Sequence, residues 1–158
     1  MLTQSTGFKN GLRNYLLIQF ERGKNMAKIL IVEDDAIMRN IVSRVLEKLN
    51  HEVIGRASNG EDGLKMYNEL KPEVVTMDIQ MESGDGVTCM QKIIQSDPKA
   101  KVIMVSARSQ ECKIQDMLNI GASGYIIKPF KVEDFQEAIQ VALTEERNEE
   151  DKKELSLV

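Results

Sequence analysis

A carboxylate that ends a buried strand is placed to do chemistry, and Asp78 has that setting, closing the apolar run Val74-Val75-Thr76-Met77. Three other apolar runs also stop at groups that can react or bind. Glu33, Asp34 and Asp35 follow Ile29 to Val32, Ser106 follows Ile103-Met104-Val105, and Lys128 follows Tyr125-Ile126-Ile127. Carboxylates brought close together repel one another, which raises a pKa or destabilises the fold. A hard divalent cation that keeps some of its waters is the natural remedy, and magnesium is the obvious candidate.

The elements that must position these groups read as five βα pairs, because strand-length apolar runs alternate with segments of helical period from Lys28 onward. Strands are expected at Lys28 to Val32, Glu52 to Ala57, Val74 to Met77, Lys101 to Val105 and Gly124 to Ile127. In the first helix, Ile37, Ile41, Val45 and Leu49 form a stripe expected to face the core, with Arg39, Asn40, Arg44 and Lys48 outward. The second helix is expected over about Glu61 to Leu70, before Pro72, and the third over about Val87 to Gln95, before Pro98. The fourth is expected from Gln110 to Ile120, closed by Gly121, and the last from Val132, with Phe135, Ala138, Ile139 and Ala142 inward. The fold class is therefore α/β, a doubly wound five-stranded parallel sheet of flavodoxin-like order 2-1-3-4-5 with helices on both faces. Right-handed crossovers put all strand carboxyl ends on one edge, and that order makes the first and third strands neighbours.

Each site residue also has an ordinary structural explanation. Helix capping would account for one acid after the first strand but not for three. Ser106 could be a loop hydroxyl, and Lys128-Pro129 a turn with a cis peptide bond. An acid cluster, a lone Asp, a hydroxyl and a lysine at successive strand ends are jointly harder to explain that way.

Composition narrows the function classes. The 158 residues are 42% hydrophobic and 29% charged, which fits one globular domain, and the net charge of -4 offers no footprint for direct nucleic-acid binding. Cys89 and Cys112 form no metal-binding pattern and are expected as buried or partly buried thiols. His51 is the only histidine, read as a turn residue, so a histidine-rich metal site is excluded. Residues 1–25 are basic, with Lys9, Arg13, Arg22 and Lys24 against Glu21, and Met26 is a second candidate start; the apolar run Tyr15 to Phe20 is too short for membrane insertion. Residues 26–145 form the expected domain and 146–158 a charged tail.

The segments Ile29 to Asp35, Thr76-Met77-Asp78-Ile79, Val105-Ser106-Ala107 and Gly121 to Phe130 together resemble a response-regulator receiver domain, over Met26 to about Leu143. Within that family the chain is most similar to the single-domain chemotaxis regulators, the CheY type. The resemblance implies Asp78 as phosphoacceptor; Glu33, Asp34, Asp78 and the main-chain carbonyl of Gln80 as ligands of Mg2+; and Ser106, Lys128 and Tyr125 as switch and phosphate-sensing residues. It also implies that Gln80 and Arg108 tune dephosphorylation, while Asp35 falls outside the acidic pair and faces the start of the first helix. Glu82 stands where the family usually has proline, which is expected to loosen the loop after Asp78.

The function implied is a cytoplasmic signalling switch rather than an enzyme. A sensor histidine kinase would phosphorylate it, and a downstream target, with the flagellar motor switch first in line, would bind the face of fourth helix, fifth strand and fifth helix. Tyr125, Ile114 and the outer side of the last helix are the expected contacts. A phosphorelay intermediate or another stand-alone receiver is the alternative, and a pseudo-receiver that only binds partners is disfavoured by its full set of charged site residues. An aspartate-nucleophile phosphohydrolase would need a second acid two residues after its nucleophile, where this chain has Gln80. A flavin or nucleotide carrier lacks its glycine-rich loop.

Overall fold

In the computed structural model, which describes residues 26–82 and 84–144, five parallel strands form one sheet: β1 Lys28–Val32, β2 Glu52–Ala57, β3 Val74–Asp78, β6 Val102–Ala107 and β7 Gly124–Lys128. Residues 1–25 and the tail from 145 lie outside the described residues. The sheet order is β2-β1-β3-β6-β7, so the five main strands run 2-1-3-4-5 as expected. Two further strands, β4 Gln80–Met81 and β5 Gly84–Asp85, make a short antiparallel pair just beyond Asp78 that the sequence did not suggest.

Helices α1 Ala36–Lys48 and α5 Val132–Thr144 cover one face, and α2 Gly60–Leu70, α3 Gly86–Ser96 and α4 Ile114–Ile120 cover the other. The period of two along each strand divides the core accordingly. Leu30, Val32, Val75, Met77, Val102 and Met104 pack toward α2, α3 and α4. Ile29, Ile31, Val74 and Ile103 pack toward α1 and α5 with Phe135 and Ile139. Because β1, β3 and β6 are covered on both sides, their sequences are continuous apolar runs, which is why they were readable as strands.

Thr76 breaks that pattern. It is 2% exposed, and its Oγ1 has no hydrogen-bond partner among the described residues. Thr76→Val keeps the shape and removes the desolvated hydroxyl, so it should stabilise the fold by about 1 kcal/mol, read as a higher urea midpoint. A lower midpoint would show that the hydroxyl is satisfied in solution.

Several expectations need correction. In α1 the inward residues are Val42 and Leu46, with Met38, Val45 and Leu49 packed beside them, whereas Ile37 is 74% exposed and Ile41 is 43% exposed. The chosen stripe was rotated because Met38 and Val42 also recur at helical spacing, and Asp35, as N-cap, fixes the helix's start and phase. The fourth helix is α only over Ile114–Ile120, since Arg108–Lys113 is a 3-10 turn that buries no residue and has no side-chain cap. Gly121, at φ 126°, ends it as expected. Strand β6 extends to Ala107, placing Ser106 within the strand rather than after it. Cys89 is buried but Cys112 is exposed. Burial pushes the Cys89 thiol up to about 11. His51 lies in the turn before β2, and its Nδ1 accepts the Ala27 N–H at 3.2 Å.

Local signals explain the remaining boundaries. Asn59 caps α2 by accepting the Asp62 N–H at 2.8 Å, and Lys71, left-handed at φ 49°, ends that helix just before Pro72. In α5, Asp134 reaches back to accept the Lys131 N–H at 2.7 Å. The Lys128-Pro129 bond is cis.

Candidate functional site

The switch point between β1 and β3 gathers the acids. Asp78, the last residue of β3, is 6% exposed and Glu33, just past β1, is 4% exposed. Lys128 ends β7, two strands from β3, yet its Nζ reaches Glu33 Oε2 at 3.3 Å and Asp78 Oδ1 at 3.5 Å. One cation thus bridges two buried carboxylates. Asp34, nearer the rim, accepts the Glu82 N–H on Oδ2 at 2.8 Å. Glu33, Asp34 and Asp78 each offer an oxygen within 4.8 Å of the others.

Glu33 also accepts the Asp35 N–H at 3.1 Å, while Asp35 itself turns to the Met38 N–H at 2.8 Å, so the third acid caps α1 and stays out of the pocket. Three acids in a row thereby divide into two pocket residues and one cap. Arg39 folds back from the second turn of α1 and donates from Nη1 to the carbonyls of Glu33, at 2.7 Å, and Asp34, at 3.3 Å. The helical pattern had placed it outward; its position near the helix start, close to an acidic turn, was the available signal.

Charge in the pocket is under-compensated. Burial, and then the charge of Asp78, pushes Glu33 from 4.5 up to about 7, although the Asp35 N–H and Lys128 pull it down. Burial likewise raises Asp78, against Lys128 and the Gln80 N–H. For Asp34 burial also pulls upward, but hydrogen bonds, the Glu82 N–H foremost, outweigh it and leave the group lowered. A carboxylate whose folded pKa is raised binds more protons folded than unfolded, so its ionisation destabilises the fold as pH rises from the unfolded to the folded value. Metal-free wild type should therefore lose stability relative to Glu33→Gln as pH rises from about 4.5 to about 7, measured by urea unfolding in EDTA. A flat difference would show that Glu33 is not strained.

The other sequence-derived candidates are less tightly gathered. Ser106 is fully buried beside the pocket's strand, and its Oγ donates to the Ala107 carbonyl at 2.8 Å. Tyr125 is 45% exposed on β7. Gln80 is exposed, with its Oε1 3.4 Å from Gln110 Nε2, and Arg108 is exposed at the start of the 3-10 turn. Gly86 was not singled out from the sequence. It opens α3, its N–H donates to the Ile79 carbonyl at 2.9 Å, and a Cβ there would sit 1.9 Å from the Asp78 carbonyl oxygen.

Fold and site together define a flavodoxin-like α/β protein with a carboxylate and lysine pocket at its switch point. The sequence profile of the response regulator receiver domain matches residues 29–140, and the chain belongs to that family. It is 39% identical over 117 residues to the chemotaxis protein CheY of Listeria monocytogenes, covering 74% of this chain and 98% of the relative. It is 40% identical over 116 residues to CheY of Bacillus subtilis, covering 73% and 97%. Among solved structures, the CheX-CheY-BeF3-Mg complex of Borrelia burgdorferi contains a similar chain, with a TM-score of 0.71, 28% identity, and coverage of 75% of this chain and 90% of that one. No helix among the described residues is long and apolar enough to cross a membrane.

Proposed function

We propose that this chain is a cytoplasmic response regulator whose Asp78 accepts a phosphoryl group from a sensor histidine kinase and whose modification changes partner binding. The observation that carries this reading is the pairing of buried Asp78 with Lys128 at 3.5 Å beside two further acids. Three carboxylates against one lysine, all hard oxygen donors within 4.8 Å of one another, fit Mg2+ held by Glu33, Asp34, Asp78 and the Gln80 carbonyl. When bound, magnesium supplies neutralisation of phosphoryl-oxygen charge.

The chain's own residues do the rest. An Asp78 carboxylate oxygen attacks phosphorus as the bond to the donor's imidazole nitrogen, or to acetate in acetyl phosphate, breaks and the leaving group takes that electron pair. Lys128, already bridging Asp78 and Glu33, holds a positive charge where phosphoryl oxygens arrive. The Ser106 hydroxyl exchanges its bond to the Ala107 carbonyl for a phosphoryl oxygen, and this draws the segment after β6 inward. Tyr125 then turns toward the space so vacated. Gln80 and Arg108, exposed near the entrance, set how fast water returns to the acyl phosphate.

The output surface is α4, β7 and α5. Leu118, Tyr125, Ala138 and Val141 line a groove there, with Asp134 and Glu137 on its border. Likeness to CheY relatives favours chemotaxis, with a flagellar motor switch as the target; the alternative reading is a phosphorelay step. A pull-down with phosphorylated protein that retrieves only a phosphotransferase would decide for the relay. The basic segment 1–25 and the tail 146–158 are proposed as appendages of a domain spanning 26–145. The direct test of the chemistry is incubation with acetyl phosphate and magnesium, after which the intact protein should gain one phosphoryl group; no gain would overturn the reading.

A further inference from the structure

The loop after Asp78 carries Glu82 where a proline was expected from the family pattern, and the structure gives this exchange a specific use. The Glu82 side chain is exposed, but its main-chain N–H donates to Asp34 Oδ2 at 2.8 Å. Proline has no N–H, so this bond exists only with a non-proline residue at the position. Of the three pocket acids, Asp34 is the one least confined by packing. Glu33 and Asp78 are buried and share Lys128, whereas Asp34 is only half-buried and has no ion pair among the described residues.

We propose that the Glu82 amide is a positioning group for the metal site, holding one oxygen of Asp34 so that the other is presented to the cation. The inference rests on the magnesium site proposed above. The amide is well placed for the task because its segment is anchored on both sides. Met81 pairs with Gly84 in the β4-β5 ladder, and the Gly86 N–H ties the far end of the loop to the Ile79 carbonyl at 2.9 Å. A half-buried carboxylate without an ion pair would otherwise sample more than one rotamer, and fixing one removes an ordering cost that metal binding would have to meet. The loop that lacks the proline is thus bonded to the acidic pocket through the donor that proline would lack.

The test uses the full chain and magnesium alone. Calorimetric titration should give Glu82→Ala an affinity within about twofold of wild type, because the amide remains, and Glu82→Pro an affinity weakened about tenfold, because the donor to a charged acceptor is gone. The metal-free urea midpoint should match wild type in Glu82→Ala and fall by no more than the loss of one hydrogen bond in Glu82→Pro, whereas a larger fall would point to general structural damage. Amide spectra supply an arm that does not depend on proline being tolerated: the Glu82 N–H should be downfield and slow to exchange in the metal-free wild type, and both properties should be lost in Asp34→Ala. Equal affinity in wild type and Glu82→Pro, or a Glu82 amide indifferent to Asp34→Ala, would overturn the proposal. If wild type itself binds no magnesium, the metal reading fails first, while the amide spectra still report whether Glu82 holds Asp34.

Discussion

Asp78→Asn should abolish phosphoryl uptake from acetyl phosphate while making the unphosphorylated protein more stable. The amide nitrogen and carbonyl of asparagine cannot form an acyl phosphate, and among the described residues only Glu33 shares Lys128 with Asp78. Glu33 is the nearest substitute, but it already bonds the Asp35 N–H and Lys128. The expected loss is at least about a thousandfold in rate, as for removal of a nucleophile from its only activating environment. The stability gain follows from burial. At 6% exposure, with desolvation as the main cause of its raised pKa, the Asp78 charge costs folding free energy at neutral pH. The neutral isostere relieves that cost and the repulsion with Glu33, for an expected gain of about 1 kcal/mol in metal-free protein. Intact mass after acetyl phosphate treatment and urea unfolding in EDTA check the two halves. Uptake equal to wild type would remove Asp78 from its proposed role, and a fall in stability would mean that Lys128 more than compensates the charge.

Gly86→Ala should be severely damaging for a change of one methyl group. Its Cβ would lie 1.9 Å from the Asp78 carbonyl oxygen and 3.1 Å from the Ile79 Cα, both main-chain atoms that no rotamer change can move away. Gly63 is also tight, but there the contact is a Val32 methyl at 2.9 Å, which can shift. At Gly86 either α3 must withdraw from the sheet, losing the burial of Cys89, Met90 and Ile93, or the end of β3 must move and carry Asp78 with it. A cost of about 3 kcal/mol or more is expected, together with loss of phosphoryl uptake in whatever fraction remains folded. Urea unfolding followed by circular dichroism measures the first, and intact mass the second. A stable, phosphorylatable Gly86→Ala protein would mean that this approach relaxes in solution.

Much of the architecture was legible in the sequence, because a two-sided parallel sheet writes itself as uninterrupted apolar runs and its chemistry gathers at their ends. Glu33, Asp34, Asp78 and Lys128 were visible for that reason, and the structure brings them together. Helical phase was less legible. Ile37-Ile41 and Met38-Val42 have the same spacing, and only the sheet decides which pair faces it; here Val42 is buried and the isoleucines are exposed. The short α4 escaped notice because periodicity does not distinguish a 3-10 turn that buries nothing from a first turn of α-helix. The pocket roles that were not legible all involve main-chain atoms as donor, acceptor or close neighbour. Arg39 binds two carbonyls, Glu82 contributes an amide, and Gly86 contributes the absence of a side chain.

The contrast between Gly86 and Glu82 bears on how this pocket can drift over generations. Every amino-acid change at Gly86 introduces a Cβ, so that codon has only synonymous freedom. Glu82 contributes through its amide, so the position can accept any residue but proline and keep the same bond to Asp34. In a lineage that keeps the bond to Asp34, these two positions of one loop would then leave different traces, one held to glycine and the other open to every residue but proline.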